Sequence, residues 1–145
     1  MNPDLPPQPT PNPDTDGFWS ATALGRLELC WCAACERYLH PPLERCRDCA
    51  GRTGFLAVSG AGVLYSYIVV HRAVAPGYAD RPGHVIGLVE LVEQPGLRLP
   101  TQLPDVDASD LWIGMPMTAE LVALPGGEFT VPVFRPAGPR SEADK

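Results

Sequence analysis

The stretch from Cys30 to Cys49, CWCAACERYLHPPLERCRDC, holds all five cysteines of the 145-residue chain. Cys32-x2-Cys35 and Cys46-x2-Cys49 form two knuckles separated by ten residues. A C-x2-C turn aims two thiolates at one point, and two such turns complete a tetrahedron around a metal ion. Cys32, Cys35, Cys46 and Cys49 are therefore the expected ligands of one Zn2+. Iron in a four-sulfur site would use the same donors. Disulfides are disfavoured, because the C-x2-C loop is tight for a relaxed bridge and a reducing cytoplasm is the default compartment. Four sulfurs leave no open coordination position, so the expected metal is structural. The ribbon, roughly residues 26–52, is too small for a core of its own, and metal binding would supply its folding energy. Cys30 is expected to be a spare thiol at a strand end, and His40 an ordinary surface histidine beside Pro41-Pro42.

Six of the 18 prolines fall between Pro3 and Pro13. Such a segment buries too little apolar area to offset its ordering entropy. Residues 1–16 are therefore read as a disordered, polyproline-like tail, with a docking role as the alternative. Residues 137–145 are read as a second disordered tail. The N-terminus has neither a basic start nor an apolar h-region, so no secretory signal is expected. No apolar run approaches the roughly 20 residues needed to cross a bilayer, and a cytoplasmic location is expected.

Net charge is −6. The ribbon region has five arginines against four acidic residues, whereas residues 53–136 have four arginines against eight. With one lysine in the chain, no basic stripe exists for a polyanion, and nucleic acid is not the expected partner.

Thr15 or Asp16 can cap a short helix from about Gly17, with Phe18, Trp19 and Leu24 on its apolar side and Gly25 as its stop. Residues 17–52 thus comprise this helix and the ribbon. Beyond Gly51 the pattern is β throughout. Phe55–Ser59 and Val63–Val70 read as two halves of one strand kinked at Gly60-Ala61-Gly62. His84–Val92 and Leu97–Leu103 follow, then a helical turn at Asp107–Trp112, then Met117–Leu124 and Glu128–Phe134 joined by Pro125-Gly126-Gly127. Three strands, a short helix and two strands describe a five-stranded OB-fold barrel over residues 53–136. The competing β-sandwich is short of strands. The expected class is mainly β: a short N-terminal helix, a rubredoxin-like zinc ribbon, then the barrel.

No nucleophile elbow, phosphate loop or carboxylate pair is recognisable, and His71 and His84 stand outside any catalytic motif. Tyr65 and Tyr67, two apart on one strand, should share a face. They could stack bases as in a single-strand binder, but half-buried barrel wall is the commoner use. No catalytic residue is expected.

Several stretches together resemble one family. They are Phe18-Trp19, GRLEL before the first knuckle, the knuckle spacing with Pro41-Pro42 between, SGAGVLYSYIVVHRA at 59–73, GLVEL at 87–91, IGMPM at 113–117 and VPVFRPA at 131–137. The chain resembles the acyl-CoA-associated zinc-ribbon/OB-fold proteins, formerly a domain of unknown function. It departs at Glu36 and Ala50, where the family has glycine after each second knuckle cysteine, and at Leu43, where arginine follows the double proline. The resemblance implies a non-catalytic accessory subunit of a thiolase-superfamily enzyme (a thiolase or retro-aldolase) acting on acyl-CoA in lipid or steroid side-chain degradation. It implies a heterotetramer or similar complex, acyl-CoA shared with the partner, and catalytic residues on that partner. Trp31, Tyr38, Leu39, Pro41 and Pro42 would then serve as an interface. A single-stranded nucleic-acid binder and an iron-carrying electron carrier are the alternatives.

Overall fold

The computed structural model describes residues 4–72, 75–78 and 83–138. After one helix, α1 (Asp16–Ala23), come eight strands: β1 (Glu28–Cys32), β2 (Arg37–Leu39), β3 (Gly54–Ala57), β4 (Ala61–Val70), β5 (His84–Leu91), β6 (Arg98–Leu103), β7 (Pro116–Ala123) and β8 (Thr130–Pro136). They form an antiparallel three-stranded sheet, β2-β1-β3, and a five-stranded sheet, β6-β5-β4-β7-β8. The second order, with a 3-10 turn at Ala108–Asp110 between β6 and β7, is that of an OB-fold. Thr101 on β6 donates its hydroxyl to the Pro132 carbonyl on β8 at 3.2 Å, joining the two outer strands.

Alternation along β5 turns Val85, Val89 and Leu91 inward, and β6 adds Leu99 and Leu103. Leu64, Met115, Met117 and Phe134 complete this interior, and the ribbon contributes Leu29 and Tyr38 to the same cluster. Ribbon and barrel therefore share one core. A two-point contact pins them further: the Gln94 side chain accepts from the Tyr38 amide at 2.8 Å and donates to its carbonyl at 3.1 Å.

Several sequence expectations change. Phe55–Ser59 is not the first half of a barrel strand. Its core, β3, pairs with β1 in the ribbon sheet, and Gly60, at φ 85°, marks the switch to the barrel sheet. Gly62 is needed for close approach, since a Cβ there would meet the Glu90 carbonyl and the Val89 side chain.

Helix α1 begins without a side-chain cap from Thr15. Asn12 instead accepts from the amides of Asp14 and Thr15 at 3.0 and 3.1 Å. At the other end Gly25 adopts φ 77°, and the Gly25 and Arg26 amides return to Thr22 and Ala21, a Schellman stop. Leu24, expected on the apolar side, is 70% exposed.

Residues 4–15, read as a free tail, carry no helix or strand yet lie against the folded chain. Gln8 donates to the Pro125 carbonyl at 3.0 Å, and Asp14 accepts from the Glu44 amide at 2.7 Å. Most of the C-terminal segment read as a tail lies outside the described residues. Among the described residues, no helix is long and apolar enough to cross a membrane.

Candidate metal centre

Both knuckles are built on short hairpins. Cys32 ends β1, and the chain turns through Cys35 so that Arg37, the first residue of β2, pairs with Cys32. In the second knuckle Cys46 donates its amide to Gly51 and accepts from Ala50, each at 2.8 Å. The turns close with Glu36 at φ 50° and Ala50 at φ 59°. Both residues therefore sit in the left-handed region, at the two positions where the resembled family has glycine.

The four sulfurs of Cys32, Cys35, Cys46 and Cys49 lie within 4.8 Å of one another. Two separations are 3.6 Å (Cys32–Cys49) and 3.9 Å (Cys35–Cys46). A tetrahedron of sulfurs at zinc bonding distance has edges of about 3.8 Å, so the donor set fits a tetrahedral ion. Amides of Asp48 and Gly51 point at the Cys46 and Cys49 sulfurs at 3.4 and 3.3 Å, placing partial positive charge where thiolates would form. The Asp48 amide, then that of Cys49, pulls the Cys46 thiol down to about 7. Hydrogen bonding with the Cys49 and then the Cys32 thiols pushes Cys35 up to about 12. Four thiolates this close would repel one another, and a cation is what allows them to exist together.

Cys30 faces the same side of β1 as Cys32 and is buried, but its thiol reaches the Leu43 carbonyl at 3.4 Å and stands outside the group of four. It lies mid-strand rather than at a strand end.

The expected interface residues divide. Pro41 is exposed, while Trp31 and Pro42 are half-buried. Tyr38 and Leu39 are interior, at 7% and 1% exposure. Tyr38 packs edge-on against Trp31 and donates to the Ala57 carbonyl at 2.7 Å. The pairing of β2 with β1 turns Tyr38 into the shared core and Leu39 into a second, smaller cluster with Cys30, Cys32 and Cys46.

Tyr65 and Tyr67 do not share a face. A β-bulge between Leu64 and Ser66 shifts the alternation. Tyr65 points out, 44% exposed under the Arg98 guanidinium at 3.6 Å, whereas Tyr67 packs on the core. A stacking platform is therefore lost. His71 is exposed, and His84 stacks on Tyr78 with ring centroids 5.3 Å apart. His40 is half-buried rather than a plain surface residue, and burial pushes its pKa below the usual histidine value.

His40 lines a cleft of about 740 Å³ that the sequence did not reveal. Its walls include Phe18 and Trp19 of α1, Leu99 and Thr101 of β6, Val133 of β8 and prolines of the N-terminal segment. The cleft combines pieces that are far apart in the chain, and only the proline run gave a local hint of it.

Comparison with known proteins places this architecture. The family described as ChsH2, C-terminal OB-fold domain, matches residues 56–122. A solved chain from an Ltp2-ChsH2(DUF35) aldolase is 36% identical, with a TM-score of 0.80 over 90% of this chain and 100% of that one. A DUF35-family protein of unknown function from Sulfolobus solfataricus shares the fold at 14% identity, with a TM-score of 0.57 over 86% of each chain. A probable enoyl-CoA hydratase alpha subunit of Thermomonospora curvata is 39% identical over 96% of this chain but only 42% of its own length. The 3-oxo-4,17-pregnadiene-20-carboxyl-CoA hydratase alpha subunit of Mycobacterium tuberculosis is 30% identical over 86% of this chain and 39% of its own length. A DUF35 domain-containing scaffold protein of Methanocaldococcus jannaschii is 36% identical over 61% of this chain and 62% of its own. The chain thus spans well under half of the two hydratase subunits. By its four-cysteine ribbon, its OB-fold and a match that covers the whole of a solved DUF35 chain, the chain belongs to the DUF35 family of ribbon and OB-fold proteins.

Proposed function

We propose that this chain is a non-catalytic accessory subunit that binds a thiolase-superfamily enzyme acting on acyl-CoA thioesters in lipid or steroid side-chain degradation. The observation that carries the reading is the 36% identity across the entire ChsH2 DUF35 chain of an aldolase assembly. The word scaffold in the description of the Methanocaldococcus relative agrees with it. The hydratase names belong to subunits more than twice as long, so they do not assign hydratase chemistry to this part.

The site supports a structural role. Cys32, Cys35, Cys46 and Cys49 hold Zn2+, which cross-links the two knuckles and leaves no position for substrate. The partner supplies the catalytic residues, while exposed Pro41 and the half-buried Trp31 and Pro42 offer apolar contact and one wall of the acyl-CoA channel. A net charge of −6 opposes the nucleic-acid alternative.

The test is affinity purification of the tagged chain from its own host, followed by size exclusion with and without chelator at low and high salt. A thiolase-like enzyme should co-elute, persist in high salt and be released by chelation. The chain alone should turn over no acyl-CoA. Turnover by the chain alone, a complex that survives complete metal removal, or steeply salt-dependent binding of single-stranded DNA would overturn the reading.

A further inference from the structure

The N-terminal segment shows what one face of the barrel is shaped to hold. Between Leu5 and Pro11 every residue is a proline or precedes one. Proline fixes its own φ and pushes the residue before it toward extended conformations, so little freedom remains to be lost on docking. This stiff segment lies on glycines from two loops. A Cβ on Gly126 would meet the Leu5 side chain, one on Gly77 would meet the Leu5–Pro6 backbone, and one on Gly127 would meet Gln8. Gln8 closes the contact by donating to the Pro125 carbonyl at 3.0 Å and to its own chain at Pro6, also at 3.0 Å. Pro6, Pro7 and Pro9 also form part of the wall of the adjoining cleft, to which Phe18, Trp19 and Tyr78 contribute as well. Glycines that admit a second backbone, a polar clamp on a proline-stiffened chain and aromatic residues close by are elements of polyproline recognition.

We propose that the face formed by Gly77, Pro125, Gly126 and Gly127, beside this cleft, is a recognition groove for an extended proline-rich peptide, occupied in cis by residues 4–9 and open to a partner's segment of the same chemistry when they leave. Tethered through the short stretch to α1, the cis segment acts at a millimolar effective concentration. A peptide supplied in trans must displace it.

The probe is a fluorescently labelled peptide of residues 4–11, DLPPQPTP, followed by anisotropy. Leu5→Asp in the full chain removes the apolar anchor from the cis segment alone. It should raise affinity for the wild-type peptide at least about tenfold over the unmodified chain. Adding Gly77→Ala, which fills the space under Pro6, should abolish that binding, with circular dichroism reporting that the barrel is intact. A peptide with its prolines replaced by alanine should bind at least about tenfold more weakly. Equal binding to the unmodified and Leu5→Asp chains, binding that survives Gly77→Ala, or equal binding of the proline-free peptide would each overturn the proposal.

Discussion

Replacing Glu36 and Ala50 by glycine should tighten metal binding. Both are exposed, and both close a knuckle in the left-handed region, at φ 50° and 59°. A side chain there costs about 1–2 kcal/mol through the clash of Cβ with the following carbonyl. Glycine removes that cost but gives up about 0.4–1 kcal/mol because its unfolded chain is freer. The net gain is about 0.5–1 kcal/mol per site, hence about 1–2 kcal/mol for two sites on separate knuckles. The Ala50 amide, which donates to Cys46, is retained by glycine. Ribbon folding and metal binding are one equilibrium, and 1.4 kcal/mol is tenfold in a dissociation constant. The double variant should therefore bind Zn2+ about 5- to 30-fold more tightly in competition with a chromophoric chelator at fixed pH. Ala34→Gly is the control: Ala34 is on the first knuckle but not at positive φ, so glycine there should weaken binding. An unchanged or weaker affinity in the double variant would show that knuckle strain does not limit the centre.

Single Cys→Ser changes at Cys32, Cys35, Cys46 or Cys49 should each lower the metal content of the purified chain, whereas Cys30→Ser should keep one ion per chain by elemental analysis; a Cys30→Ser protein without metal would refute the ligand set. Gln94→Ala strands the amide of buried Tyr38 and should cost about 1–3 kcal/mol in urea denaturation, with an unchanged midpoint counting against the staple. For His40, burial favours the neutral imidazole in the folded state, so the unfolded chain takes up a proton first as pH falls. Its contribution is therefore intact above the usual pKa of about 6.5 and is lost as pH drops below it. His40→Gln should flatten the decline in melting temperature between about pH 7 and pH 5, and an equally steep decline in the variant would remove His40 as its source.

The features legible in the residues alone are local. Two C-x2-C knuckles ten residues apart name a four-sulfur centre because each turn aims two thiols whatever surrounds it, and the structure gathers those four sulfurs within 4.8 Å. The alternation of His84–Leu91 and the glycine-marked turns likewise carried the OB order of strands and the single helical turn between the third and fourth. The remaining features depend on pairing between distant segments. Residues 54–57 read as barrel because their β pattern says nothing about which neighbour they bond, and β1 takes them into the ribbon sheet. A bulge at Leu64/Ser66, invisible in residue types, separates the faces of Tyr65 and Tyr67. Tyr38 and Leu39 read as surface because a small ribbon was expected to have no interior, yet the shared core with the barrel buries Tyr38. The proline-rich segment read as free because its own composition cannot form a core. It lies down on glycines more than 70 residues away, and no local pattern can encode a surface assembled from the far ends of the chain.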